Sequence, residues 1–346
     1  MEVRFDGQRL RGGREARERF YDSRGYGRPR DGRLELAPVE AAHLLFRGDL
    51  DSVERDGRPL DFAGLLASAA VPEVAFLVYK DLRDRGFYLS PARDGVDAGA
   101  GEFVVYPRGQ GPWDEAVAYR MLAVSEREDV PAGVLRGLVE RAGADDATAV
   151  LAVVDEESEV TYLGVHEPTV EGTTAHTFPP VRGRLLSDRV LVADPPEPLY
   201  DRAFYGQPLG DQLQLSLVEA THLAAGDLLT LAGDGPAGDR LRERGRAVEG
   251  DRFDRRSRVY SALRERGLVP KTGFKFGADF RTYADVDSVD DLGHSELLVR
   301  VLAAGHVFAP RDLALDVRLA HGVRKRMVFA LVGDGLDWLV AERLTP

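Results

Sequence analysis

The chain has 346 residues, 44% of them hydrophobic, enough to bury more than one core and too many for a disordered or fibrous protein. It contains no cysteine, which excludes disulfides, thiolate nucleophiles and Cys-ligated zinc. No apolar run approaches the ~18 residues of a membrane span, and the N-terminus lacks the apolar stretch of a signal peptide, so a soluble cytoplasmic protein without a membrane partner is expected. Asp plus Glu outnumber Lys plus Arg by 58 to 46, a net charge of −12 that taken alone argues against a polyanionic ligand. Yet the only lysines are Lys80, Lys271, Lys275 and Lys325. An acidic, lysine-poor, arginine- and alanine-rich chain fits adaptation to brine, where at ~1 M salt the Debye length is only ~3 Å. An RNA would then be held by stacking, shape and close contacts.

Read from the N-terminus, the chain repeats itself. YDSRGYGRPRDGRLELAPVEAAHL, from Tyr21, matches YDRAFYGQPLGDQLQLSLVEATHL, from Tyr200. Gly48-Asp49-Leu50 answers Gly226-Asp227-Leu228, and VYKDLRDRG from Val78 answers VYSALRERG from Val259. Several separated blocks of such identity mean duplication. His43 and His222 recur in both copies, which points to structure. Between the copies, residues 166–180 are rich in Pro, Thr and Gly and read as a linker. The expected architecture is α+β: two tandem repeats, each an N-terminal α/β lobe and a C-terminal mixed α/β lobe. The lobes span residues 1–70, 71–165, 181–250 and 251–346.

In the first repeat, Asp155-Glu156-Glu157-Ser158-Glu159 forms an acidic turn after an apolar run. In the second, Arg258 to Arg266 places Val259, Tyr260 and Leu263 on one helical face, with Gly267 as the cap. Gly273 and Gly277 bound a tight loop. Glu296 to Leu302 has the character of a buried strand. Pro310 opens a helix carrying Leu313, Val317 and Ala320 and ending at Gly322. Met327–Val332 and Leu336–Ala341 flank Gly333-Asp334-Gly335, a hairpin signal.

The copies differ where chemistry would sit. Aligning the apolar runs at Val150 and Val328 puts Ala147 opposite Lys325. Tyr106 matches Tyr283, but no histidine between Tyr106 and Val165 answers His294. The first copy keeps the tyrosine without its companions.

LVPKTGFKFGADFRTY, HSELLVRVLAAG and VRLAHGVRKRMVFA, which carry Tyr283, His294 and Lys325, resemble the archaeal tRNA-intron endonucleases of the two-repeat kind. Their pattern K-x-G-x-K-F-G-x-D-F-x-x-Y, a following His-Ser and a closing V-R-K supplies a Tyr-His-Lys triad. The resemblance implies nuclease-like C-terminal lobes, the first degenerate, and a precursor tRNA partner with a bulge-helix-bulge motif. It also implies metal-free and cofactor-free transesterification, leaving 2′,3′-cyclic phosphate and 5′-hydroxyl ends. Tyr283 would be the base, His294 the acid, and Lys325 the charge facing the phosphorane. Arg318 matches a position that clamps bulged bases. Asp155, Glu156 and Glu157 match an acidic loop that docks a homodimer, against the simpler reading of a solvated turn. Lys271 and Lys275 either flank RNA or merely decorate the surface. The alternative function is a non-catalytic structural or RNA-binding subunit.

Overall fold

The computed structural model describes residues 3–92 and 101–346. It divides into two compact units, Met1–His166 with Val307–Ala314 and Ala341–Pro346, and Glu167–His306 with Leu315–Val340. The first unit therefore takes in short segments from the far end of the chain, and Val307–Phe308 pairs antiparallel with Val130–Pro131.

In the first unit, the N-terminal lobe is a six-stranded sheet in the order Arg28–Arg30, Arg33–Leu36, Leu10–Gly12, Val3–Phe5, Val53–Arg55 and Arg58–Leu60. Helix Pro38–Phe46 buries Val39, Ala41, Ala42, Leu44 and Leu45 in the same core. The C-terminal lobe has adjacent strands Leu89–Pro91, Glu102–Val105, Tyr119–Ser125, Thr148–Val154 and Val160–His166. Among the described residues of this set, Tyr119–Ser125 and Thr148–Val154 run parallel, and helix Ala132–Ala144 makes the crossover between them. Thr148–Val154 is buried at six consecutive positions, which is why it reads as an unbroken apolar run.

The second unit repeats this plan. Its N-terminal lobe is a five-stranded sheet, with helices Leu217–Ala225 and Ala237–Glu249. Ser216 caps the first of these helices, accepting from Glu219 N while the Glu219 carboxylate accepts from Ser216 N, a reciprocal pair. The first repeat has Ala37 at that place and keeps only the glutamate's half of the pair. The C-terminal lobe has helix Asp251–Glu265 and strands Val269–Thr272, Phe280–Tyr283, Leu297–Ala303, Arg326–Val332 and Leu336–Arg343. Helix Pro310–Gly322 is the crossover into Arg326–Val332.

His43 is a core residue and His222 is partly buried. His43 Nδ1 lies 2.8 Å from Tyr26 Oη, and His222 Nδ1 lies 2.9 Å from Ser261 Oγ. Burial lowers both imidazoles to about 4, so they are neutral at pH 7.

Residues 167–180 form neither helix nor strand, yet they are held along their length. Gly172 N donates to Arg266 O, Thr173 N to Ala284 O and Thr174 N to Gly267 O, while His176 Nε2 lies 2.8 Å from Val286 O. A Cβ on Gly172 would stand 2.5 Å from Gly267 O and 2.6 Å from Ala284 O, so the segment fits only as glycine there.

Candidate active site

Three neighbouring strands of the second unit bring the candidate triad to one end of a sheet. Phe280–Tyr283 runs antiparallel to Leu297–Ala303, which runs parallel to Arg326–Val332. Thr282 pairs with Leu297, and Leu297 with Arg326, so the end of the first strand lies beside the starts of the next two. Tyr283 closes the first strand, while His294 and Lys325 lie just before the other two. With strands ~4.8 Å apart, the three residues span three adjacent strand positions. The backbone links are direct: Glu296 N donates to Thr282 O at 3.2 Å and Arg326 N to Glu296 O at 3.1 Å.

The end of helix Pro310–Gly322 delivers Lys325. Ala320 O accepts from Val323 N and from Lys325 N, at 3.2 and 2.9 Å. Arg324 takes the left-handed conformation that closes the turn, with φ 56°. The Lys325 ammonium donates to Ser295 Oγ at 2.6 Å and to the Ser295 carbonyl, which ties it to the residue after His294. Burial, and then the Arg281 guanidinium, hold its pKa below the ordinary lysine value. A cleft of about 820 Å³, lined by Glu296, His321, Gly322, Arg324, Lys325 and Arg326, opens here.

Tyr283 is 8% exposed and packs with Val269 and Val286, its ring centroid 5.8 Å from that of Phe204. Cζ of Arg281 lies 5.8 Å from the Tyr283 ring centroid, and the buried Arg281 Nε has no hydrogen-bond partner among the described residues. His294 is exposed. Lys275 is exposed in a turn whose glycines are obligatory: a Cβ on Gly273 would come 2.8 Å from Ala278 O, and Gly277 has φ +70°. Arg318 is exposed on the crossover helix.

Lys271 requires a correction, since its ammonium does not face solvent or RNA. It donates to Phe204 O at 3.1 Å, Gly206 O at 2.9 Å and Glu219 Oε1 at 3.0 Å, in a buried lobe junction. It is a structural cation. In the acidic turn of the first unit, Asp155 Oδ1 accepts from Glu157 N and Glu159 N, both at 2.9 Å, so this carboxylate shapes the turn. Glu156 pairs with Arg127, and Glu157 is exposed. In the second unit the matching turn is held by Arg258, which donates to Gly333 O and Asp334 O.

Sequence reasoning assigned no role to Ser295, Arg281 and Phe276, which neighbour the triad, or to the exposed Phe274. Lys325 Nζ lies 5.7 Å from the Phe276 ring centroid, and Phe274 is 86% exposed. The signal for the aromatics was the interleaving of Phe274, Lys275 and Phe276, an arrangement suited to stacking on bases beside phosphates.

Comparison with known proteins finds two domain families, each matched twice along the chain. Residues 73–162 and 253–338 match the family described as tRNA intron endonuclease, catalytic C-terminal domain. Residues 1–66 and 181–239 match the tRNA intron endonuclease N-terminal domain. The chain is 61% identical to the tRNA-splicing endonuclease of Haloarcula marismortui, covering all of both chains. It is 53% identical to that of Haloferax volcanii over 96% of each chain, and 37% identical to that of Methanosarcina acetivorans over 99% of each. With both domains present twice in alternation, this chain is an enzyme that belongs to the tRNA intron endonuclease family, in its two-repeat form.

Proposed function

We propose that the chain excises introns from precursor tRNA, cutting at bulge-helix-bulge sites by metal-independent transesterification. Tyr283 takes the proton from the ribose 2′-hydroxyl, and the freed oxygen attacks the adjacent phosphorus. His294 protonates the departing 5′-oxygen, leaving a 2′,3′-cyclic phosphate and a 5′-hydroxyl. Lys325 faces the charge that builds on the phosphorane, with Arg281 as a second cation beside the phenol. The observation that carries this reading is the gathering of Tyr283, His294 and Lys325 at one end of three adjacent strands, in a repeat whose twin has Ala147 in place of the lysine. The names of the relatives support intron removal as the purpose.

Arg318 and Lys275, both exposed, are assigned to the RNA, with Arg318 stacking on a bulged base. The acidic turn at Asp155, Glu156 and Glu157 is assigned to docking a second copy, so that a homodimer brings one live site to each of the two cuts that an intron needs.

The test sets a bulge-helix-bulge RNA beside a plain duplex and a single strand, each with excess chelator, and analyses the new ends. Cleavage of the first substrate alone, with cyclic phosphate ends, is expected. A requirement for divalent metal, 3′-hydroxyl products or equal cutting of all three RNAs would overturn the assignment.

A further inference from the structure

The two repeats bury the same carboxylate in the same loop, and only one of them gives it an ammonium. Glu219, 6% exposed, accepts from Gly206 N and Ser216 N, both at 2.9 Å, and from Lys271 Nζ. Glu40, 2% exposed, accepts from Gly27 N at 2.6 Å and Ala37 N at 2.8 Å. The surroundings repeat closely. Gly27 and Gly206 have φ of +69° and +68°. Arg83 lies 4.0 Å from the Tyr26 ring centroid and donates to Arg24 O, as Arg264 lies 3.9 Å from that of Tyr205 and donates to Ala203 O. Counting on from the matched VYKDLRDRG and VYSALRERG blocks, Ser90 falls where Lys271 does. The Ser90 hydroxyl accepts from Tyr106 Oη at 3.3 Å. A cleft of about 820 Å³ opens at this place, with Gly27, Arg28, Glu40, Ser90 and Tyr106 in its wall.

We propose that this cleft binds the primary ammonium of a small linear amine, seated as Lys271 Nζ is in the second repeat, on the Glu40 carboxylate and the carbonyls of Gly25 and Gly27. Those carbonyls are the counterparts of Phe204 O and Gly206 O, which accept from Lys271. An ammonium offers three donors from a compact centre and matches three convergent acceptors; a quaternary amine offers none. The need for a cation is visible in the carboxylates themselves. Burial pushes Glu40 up to about 7, against the pull of the Ala37 and Gly27 amides and of Arg83 and Arg28. Burial acts on Glu219 too, but Lys271 and the Ser216 and Gly206 amides hold it at about 2. Tyr79 and Tyr106, the other titratable groups near Glu40, stay neutral because burial raises both phenols. Above pH 7, Glu40 is therefore an ionised carboxylate whose repeat provides no lysine.

The full chain is melted at pH 8 with propylammonium chloride, and with tetramethylammonium chloride at equal ionic strength. Propylammonium is expected to give a saturable rise on the order of 5 °C, with no rise from the quaternary salt. Ser90→Lys, which supplies the ammonium covalently, should raise the melting temperature at pH 8 and abolish the response to propylammonium. Glu40→Gln should abolish the response as well. Equal effects of the two salts, or an undiminished propylammonium response in whichever of the two variants folds, would overturn the proposal.

Discussion

The repeats share one plan, with a sixth strand in the first N-terminal lobe, and at the buried glutamate and the candidate triad their difference falls on charge. Both C-terminal lobes put one parallel pair in the middle of an otherwise antiparallel set, with a helix crossing over between its strands. Both N-terminal lobes bury a glutamate at the start of a helix under an aromatic and an arginine. What the first repeat lacks are two ammonium groups: Ala147 stands for Lys325 and Ser90 for Lys271. Apolar burial, of order 25 cal/mol per Å², keeps a fold intact without any particular cation. A site that must stabilise charge does not survive the loss of one.

Three substitutions and a pH series, with Tyr106→Phe as a control, test that contrast, taken from the largest expected effect to the smallest. Lys325→Ala, which gives the second repeat the residue of the first, should lower the single-turnover cleavage rate about 10²–10⁴-fold with RNA affinity nearly unchanged. Tyr106→Phe should leave that rate as it was; a comparable loss there would overturn the proposed division of labour between the repeats. Lys271→Met should cost about 3–5 kcal/mol in denaturant unfolding, because Glu219 is left buried without its partner. Adding Glu219→Gln should restore part of the loss, and no restoration would mean that packing, not charge, was removed.

The two glutamates should also oppose each other in pH. Glu40, raised from 4.5 to about 7 in the folded chain, contributes stability that is full below pH ~4.5 and is lost as pH rises toward 7. Glu219, lowered from 4.5 to about 2, contributes stability present above pH ~4.5 and lost as pH falls toward 2. Each swing is about 3 kcal/mol. Amide exchange followed separately in the two repeats reads it, and Glu40→Gln should flatten the first trend alone. Smallest of the four, Phe274→Ala should weaken binding of the bulged RNA by about 1–3 kcal/mol, read by titration with an uncleavable 2′-deoxy substrate. Unchanged affinity would leave that exposed ring without a base to stack on.

Much of the second repeat was legible because its signals are local. Helix Pro310–Gly322 has the expected limits, the strand expected at Glu296–Leu302 is found at Leu297–Ala303, and the hairpin closes at Gly333–Gly335. The helix expected from Arg258 begins instead at Asp251. Its first turns are almost wholly charged, and only Phe253 marks the buried face, packed where a Cβ on Gly245 would lie 2.3 Å from the ring. The role of Lys271 was not legible, since its partner Glu219 is remote in sequence and the loop supplying two carbonyls has no side-chain signature. Ser295 and Arg281 were missed for the same reason: strand register, not spacing along the chain, makes them neighbours of Lys325 and Tyr283. The comparison of repeats already held the clue, because the glutamate recurs while the lysine does not.

The segment joining the repeats is stitched to Gly267 and Ala284, and Ala284 follows Tyr283 directly. Severing the polypeptide upstream of Gly172 would leave that brace with the half that carries the candidate triad, whereas a break after His176 would carry it away with the other half. Two separately made polypeptides that keep the brace would have to be divided before it, and a protease able to enter at Thr173 would strike the backbone bond to the residue next to the phenol.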